Sequence, residues 1–521
     1  MFLLEGGLVY DHDGDTDHPA RADILIDGNK IIAVEPGLRA AAAVVGHPLH
    51  GRLKPDIEVM DCRDRIAVPG FFNAHYHSHD TLQKGFFESI PLTLWGLLAL
   101  PPSYPRRTQR ELRARTLIGA VECLRSGITT VQDMDRVHPF DADDIDVVLK
   151  AYDDVGIRCV FAPHVVEKSL LDATAFWKET IPPSETWRLA GPAGPLFPPG
   201  TDIAKVVEEF IKPRIGRYSR VTFGVGPSSP ERLHRSTLEA FADFSKRQDI
   251  PFYIHFNESR DMAVHGLQHL KEYGGSHVKF LEACGALGPK ASLAHSVWLT
   301  EDELGIFART GTTAAFNPVG NLKTRSGIAP FRKFLEAGVN VGLGCDNCSC
   351  SDAQNMFQSM KMFCCLPAVS EPLSTRPTAP DALRAACLGG ARPAGLGADV
   401  GEIKPGRLAD LFLVDLTDPS FIPFNSAARQ LVYTEAGRGV RTVFVDGRVV
   451  VDNGRITTID ERALREEISE LMIQLVQDAK EISDRLEPIK KHILDSVMKS
   501  WEIDYPEHRY IGDRPFVSRP A

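Results

Sequence analysis

Between Ile57 and Leu343 the chain repeats one pattern: a short apolar, β-branched run, a turn, and a longer segment with helical spacing. Parallel strands need crossover connections of about a dozen residues or more, usually helices, so this alternation predicts an α/β fold with a parallel sheet. Seven such runs are 128–131, 158–162, 221–225, 252–255, 291–295, 311–316 and 339–343, and the run leading into His75 is the eighth. Eight strand–helix units predict a (β/α)8 TIM barrel, whose chemistry sits at the carboxyl ends of the strands. The segment 111–126 has helical character and stops at Gly127, the residue type that favours a left-handed helix end.

The two ends of the chain read differently. Asp27-Gly28-Asn29 lies between apolar runs, and Asp446-Gly447-Arg448 does the same near the far end; both are hairpin signals. The expected arrangement is a small β-sandwich built from residues 1–66 and 398–458 around a catalytic barrel of 67–397. A helical extension, 459–521, completes the division. Residues 40–55 read as an irregular surface insertion. Asp460 is placed to cap a helix with Leu464, Ile468, Leu471, Leu475, Ile482 and Leu486 on one face, and Pro488 is expected to break it. That extension is expected to pack on the barrel or on a second subunit, so a homo-oligomer is the expected assembly. The stretch 165–215, with Trp177, Trp187 and the Gly/Pro-rich centre 191–195, is too long for a simple crossover. A lid over the site and a plain surface excursion are both open readings of it.

Charge and cysteine usage narrow the function. A formal charge of −10 argues against nucleic-acid binding, which needs clustered Lys and Arg. No apolar run reaches the 18 or so residues of a membrane span, and no export signal is visible. Ten cysteines in such a chain fit a reducing cytoplasm, and Cys345, Cys348 and Cys350 read as buried unpaired thiols.

His75 and His77 share one face of a strand end, because side chains alternate along a strand. The pair is half of a metal site. His255 and His295 close two later strands, and Asp346 follows the last. On a barrel all five converge on one face, the face that carries catalysis. Glu258, three residues past His255, supplies a carboxylate for moving protons.

These residues carry a resemblance. Pro69-Gly70-Phe71-Phe72-Asn73-Ala74-His75-Tyr76-His77, His255-Phe256-Asn257-Glu258, Ala294-His295, Asn317-Pro318-Val319-Gly320-Asn321 and Gly344-Cys345-Asp346 are similar to motifs of the amidohydrolase superfamily. More narrowly they resemble its branch of chlorohydrolases and nucleoside or nucleobase deaminases. The resemblance implies one divalent ion, zinc with iron as the alternative, held by His75, His77, His255 and Asp346. It implies catalytic roles for Glu258 as proton shuttle, His295 as orienting group and Asp346 as proton acceptor. Binuclear relatives use a lysine on the fourth strand; 221–228 contains none, which favours a single metal. Departures bear on substrate: Val319-Gly320 replaces a serine-containing pattern, Asn347 stands where glycine is common, and Leu82-Gln83-Lys84-Gly85 replaces a Leu-Arg-Gly pattern. Gln83, Trp95, His164 and Asn321 are candidate substrate-pocket residues by position, with ordinary packing the other reading of Trp95 and His164.

The expected activity is addition of hydroxide to an electron-poor sp² carbon of a small molecule, deaminating a purine, pterin, pyrimidine or triazine. Hydrolysis of an amide, urea, carbamate or carbon–halogen bond is the alternative. A non-catalytic scaffold ranks last, because all five strand-end positions are intact.

Overall fold

A computed structural model describes residues 1–53, 57–192, 194–370 and 375–510. Its centre is a barrel of eight strands: Phe71–His77, Ile128–Asp133, Arg158–Phe161, Val221–Phe223, Phe252–Phe256, Ala291–His295, Thr313–Phe316 and Val341–Leu343. Every ladder among them is parallel. The fourth and fifth meet through one bridge, Val225 to Phe252. Closure comes just past the eighth strand, where Asp346–Asn347 pairs in parallel with Tyr76 and His77. Asn73 pins that seam: its Oδ1 accepts from Cys345 N at 2.9 Å and its Nδ2 donates to Gln354 Oε1 at 3.0 Å. The register of His75 and His77 against Asp346 follows from this contact.

Helices cover the barrel from outside, which is why all seven residues of the first strand are buried. The helix Gln109–Arg125 is capped by Thr108, and Gly127 takes φ +80° beyond its end. Phe72, Ala74, Met134, Val160, Tyr253 and Ala315 fill the barrel interior.

Both chain ends join one nine-stranded sheet, where two sheets of a sandwich were expected. Arg65–Pro69 stands at the junction, parallel to Phe2–Val9 and antiparallel to Leu411–Asp415. Leu4, Ile24 and Ile26 share a core with Leu411, Leu413 and Phe444. The two expected hairpins are present, pairing Asp27 with Lys30 and Val445 with Arg448. The insertion expected at 40–55 begins at the end of the short helix Leu38–Ala41 and runs as turns and bends up to residue 53; its end lies outside the described residues, as does Ala193. All ten cysteines are free, and Cys345, Cys348 and Cys350 are buried.

Asp460 caps the helix Glu461–Leu486 by accepting from Arg462 N and Ala463 N. The helix stops at Leu486, just before Pro488, as expected, but the tail continues beyond it. Pro488 sits in a 3₁₀ turn, Glu487–Ile489, and the helix Lys490–Lys499 follows, because proline is tolerated where a first-turn N–H has no partner. Leu475, Ile482, Leu486, Ile489 and Ile493 pack in one core with Leu94, Tyr104, Leu171 and Ile181. Five buried aliphatic side chains at about 1.5–3 kcal/mol each make this a firm seam. Residues 511–521 of the extension lie outside the described residues. Among the described residues no helix is long and apolar enough to cross a membrane.

Candidate metal centre and active site

Two strand ends and the closure segment bring the four expected ligands together. His77 Nε2 lies 3.2 Å from both His75 Nε2 and His255 Nε2. Asp346 Oδ1 is 3.5 Å from His75 Nε2 and 3.7 Å from His77 Nε2. The far side of two rings is committed: His77 Nδ1 lies 2.7 Å from Met134 O and His255 Nδ1 lies 2.6 Å from Ser228 O. Facing carbonyl oxygens, both Nδ1 atoms carry the proton and donate, which leaves each Nε2 a bare lone pair. Two lone pairs 3.2 Å apart repel unless a cation lies between them. Two nitrogens about 2.0–2.1 Å from one ion in tetrahedral geometry are roughly 3.3 Å apart, so the observed spacing fits.

Protonation agrees with that reading. Burial pushes His75 and His77 well below the ordinary imidazole range, with neighbouring imidazoles adding to the effect. Burial likewise lowers His255 to about 4. Neutral imidazoles beside a carboxylate are the state a divalent ion requires. Groups of three from His75, His77, His255, His295, Glu258 and Asp346 have donor atoms within 4.8 Å of one another.

His295 sits beside this set. Its Nδ1 lies 2.8 Å from Asn321 Oδ1, so that nitrogen donates and Nε2 faces the cavity without a partner. Glu258 Oε2 is 3.5 Å from that Nε2 and Asp346 Oδ2 is 4.0 Å from it. Burial, followed by the charges of Asp346, Asp261 and Glu231, holds the Glu258 carboxyl well above the usual range. Asp346 and His295 adopt left-handed backbone angles, φ +62° and φ +72°, a conformation uncommon outside glycine. Such outliers cluster where a side chain must be aimed.

Among the tentative pocket residues, Trp95 and His164 line the cavity. Trp95 Nε1 donates to Ser349 Oγ at 2.9 Å, which fixes the indole plane, and both His164 ring nitrogens lack partners. Gln83 and Asn321 lie elsewhere. Gln83 Nε2 donates to Ala99 O at 3.1 Å, tying a turn to the helix Leu92–Ala99, and Asn321 faces the back of His295. Gly320 explains one departure: a Cβ there would sit 2.9 Å from Asp346 Oδ2 and 3.3 Å from Cys350 Sγ.

The cavity is also lined by His79, Thr93, Glu231, Arg232, Asp261 and Asn347, none of which was an expected pocket residue. His79 had a signal, the repeat His75-x-His77-x-His79. The strand ends at His77, however, and a 3₁₀ turn carries His79 to Asn347, whose Nδ2 lies 3.2 Å from His79 Nε2. Glu231 and His277 come within 3.9 Å, yet burial raises the carboxyl to about 7 and lowers the imidazole to about 3. The imidazole is neutral near pH 7, where the carboxyl is about half ionised, so this contact is not an ion pair. The segment after residue 165 reaches the cavity through Leu170, Ala173 and Thr174, which favours its reading as a cover over the mouth.

Comparison with known proteins gives a consistent picture. Residues 66–450 match the family model described as Amidohydrolase family. A 5-methylthioadenosine/S-adenosylhomocysteine deaminase of Thermococcus kodakarensis is 30% identical over 87% of this chain and 94% of its own. A 5'-deoxyadenosine deaminase of Methanothermobacter thermautotrophicus is 28% identical, covering 86% of this chain and 93% of its own. Among solved structures, an atrazine chlorohydrolase from Arthrobacter aurescens complexed with zinc is similar at TM-score 0.73 and 25% identity, over 90% of this chain and 100% of that one.

Proposed function

Because the chain belongs to the amidohydrolase family, we propose that it is a metal-dependent hydrolase that deaminates an amino-substituted nitrogen heterocycle of purine-nucleoside type. The observation that carries this is the pair of bare, mutually facing imidazole nitrogens of His77 and His255, 3.2 Å apart, beside the Glu258 carboxyl that burial holds well above the usual range. His75, His77, His255 and Asp346 would hold one divalent ion, zinc by likeness to the zinc complex among the solved structures. Bound there, it lowers the pKa of water from 15.7 toward about 7.

The chain's own residues supply the rest. His295 Nε2, kept as an acceptor by the bond from Nδ1 to Asn321, takes a water O–H and so aims the attacking oxygen at the ring carbon. Asp346 accepts the proton that the oxygen sheds. Glu258 delivers its proton to the ring nitrogen and takes up the remaining hydroxyl proton as the carbonyl forms, while the proton held by Asp346 passes to the amine, so that hydroxide adds, the carbon–nitrogen bond breaks and ammonia leaves. Trp95, Leu100 and Met262 flank the ring with apolar surface and exclude bulk water.

The same reading takes residues 1–66 with 398–458, 67–397 and 459–521 as structural units of a cytoplasmic homo-oligomer. Ile473 and Val476, exposed at 77% and 53% on the tail helix, support association. The test is ammonia release by zinc-loaded protein from amino-purines, pterins, pyrimidines and triazines. Glu258→Gln should abolish it while the metal content stays at one equivalent. Release of chloride or of an amide fragment, with no ammonia from any amino-heterocycle, would replace deamination by the other hydrolytic outcome.

A further inference from the structure

A second, larger cavity adjoins the first. The chamber over the histidines has about 60 Å³ of free space, whereas its neighbour has about 830 Å³. The two share Gly96, Leu100, Leu170 and Arg232 as walls, so a ligand seated at the histidines continues into the larger space.

That space is lined by an unusual pair of guanidiniums. Arg136 is 1% exposed, and its Nε and Nη1 have no hydrogen-bond partner among the described residues. Arg232 is 6% exposed and, among the described residues, makes only hydrogen bonds of 3.4 Å, to Lys168 O and Ser228 Oγ. Neither forms an ion pair among the described residues. Two acidic side chains on the same wall are engaged elsewhere: Glu167 accepts from His234 N and Thr237 Oγ1, and Asp172 accepts from Ser169. Glu231, beside Arg232, is raised by burial to about 7, so near neutrality it is about half ionised and cancels only part of the charge. Burial and mutual repulsion hold Arg136 well below the ordinary guanidinium range. A buried, unpaired guanidinium is strongly unfavourable in a folded chain unless something else neutralises it. Arginine forks bind carboxylate and phosphate through paired, charge-assisted hydrogen bonds.

We infer that Arg136 and Arg232 form an oxyanion site in the outer cavity, and that the substrate is a heterocycle bearing an anionic group on a tail that extends past His164. This rests on the proposed deamination for the identity of the ring, and on the two arginines alone for the anion. The ligand chemistry is a carboxylate or a phosphate.

The experiment compares adenosine, adenosine 5'-carboxylate and adenosine 5'-monophosphate with zinc-loaded protein, reading kcat/KM for ammonia release and the ligand-induced shift in Tm. One anionic form should exceed adenosine by more than about tenfold in kcat/KM and raise Tm, as loss of hydrogen bonds to a charged group would reverse. Whichever of the two does so identifies the anion. Arg232→Met and Arg136→Met should each bring the anionic-to-neutral ratio toward one and erase the Tm shift. Arg136→Met without ligand should melt no lower than the parent, because it removes an unpaired buried charge; a large fall would make Arg136 a structural group and overturn its role. Should that variant not fold, Arg232→Met and Arg232→Lys carry the test. A wild-type ratio at or below one, with no Tm shift from either anion, overturns the site and leaves deamination standing. No ammonia from any of the three, with a Tm shift that the arginine variants abolish, overturns the deamination reading and leaves the anion site.

Discussion

Asn321 stands behind the reacting groups, and its replacement by leucine isolates one element of the mechanism. The side chain is 2% exposed, and its Oδ1 lies 2.8 Å from His295 Nδ1. On the same nitrogen Asn317 Nδ2, a donor, closes to 3.3 Å. The two amides therefore pull in opposite directions: Asn321 favours a protonated Nδ1, and Asn317 favours a bare one. In Asn321→Leu the first influence disappears and the second remains. A buried N–H left without an acceptor costs about 1–3 kcal/mol, so the tautomer with a bare Nε2 loses a factor of roughly 5 to 150 in population. The other tautomer presents Nε2–H to the cavity and repels the hydrogen that the attacking oxygen should offer. We predict a fall in kcat of about 10- to 100-fold, corresponding to about 1.4–2.7 kcal/mol, with KM changed by less than about threefold. Steady-state ammonia release with the best heterocycle, alongside metal analysis of the same preparation, makes the measurement. A kcat within threefold of the parent at full metal content would refute the tautomer argument. A loss that follows falling metal content would instead make Asn321 part of metal retention.

Two other perturbations address the same site. Gly320→Ala places a methyl 2.9 Å from Asp346 Oδ2 and should weaken metal retention by about tenfold in competition with a chelator; unchanged retention would show that Asp346 tolerates displacement. Glu231→Gln tests a buried acid. Burial raises this carboxyl from 4.5 to about 7. Stability from the protonated form is therefore full below about 4.5 and lost as pH rises to about 7. The variant, which cannot ionise, should match the parent in Tm near pH 4.5 and exceed it above pH 7 by an amount corresponding to about 3 kcal/mol or less. A Tm difference that does not change with pH would mean that Glu231 does not titrate in this window.

The barrel and the convergence of the candidate ligands were legible because both depend on strand ends. A strand's alternation puts His75 beside His77, and closure of the barrel puts Asp346 near both, whatever the loops do. Asn321 and Gln83 show where such reading stops. Their place in a motif indicated proximity to the site, but the direction of each side chain is set by hydrogen bonds to His295 and to Ala99 that no spacing encodes. His79 was hidden by the change from strand to 3₁₀ turn at His77. Arg136 and Arg232 left no local signal at all. They share a cavity because residues from the stretch after 165 line it together with the wall at Gly96 and Leu100, a proximity set by tertiary packing.

The helical tail bears on how such a protein changes over time. Leu475, Ile482 and Leu486 press on the same core as Leu94 and Leu171, whose neighbours Trp95 and Leu170 face the cavity. The walls of the chamber and its histidines are thus supported by separate parts of one chain. The barrel rim can keep its histidines unaltered while substitutions some two hundred residues further along tilt the walls of the chamber. A search for variants with new substrate preferences would do well to begin in the tail, where a changed side chain reshapes the room without touching the tools inside it.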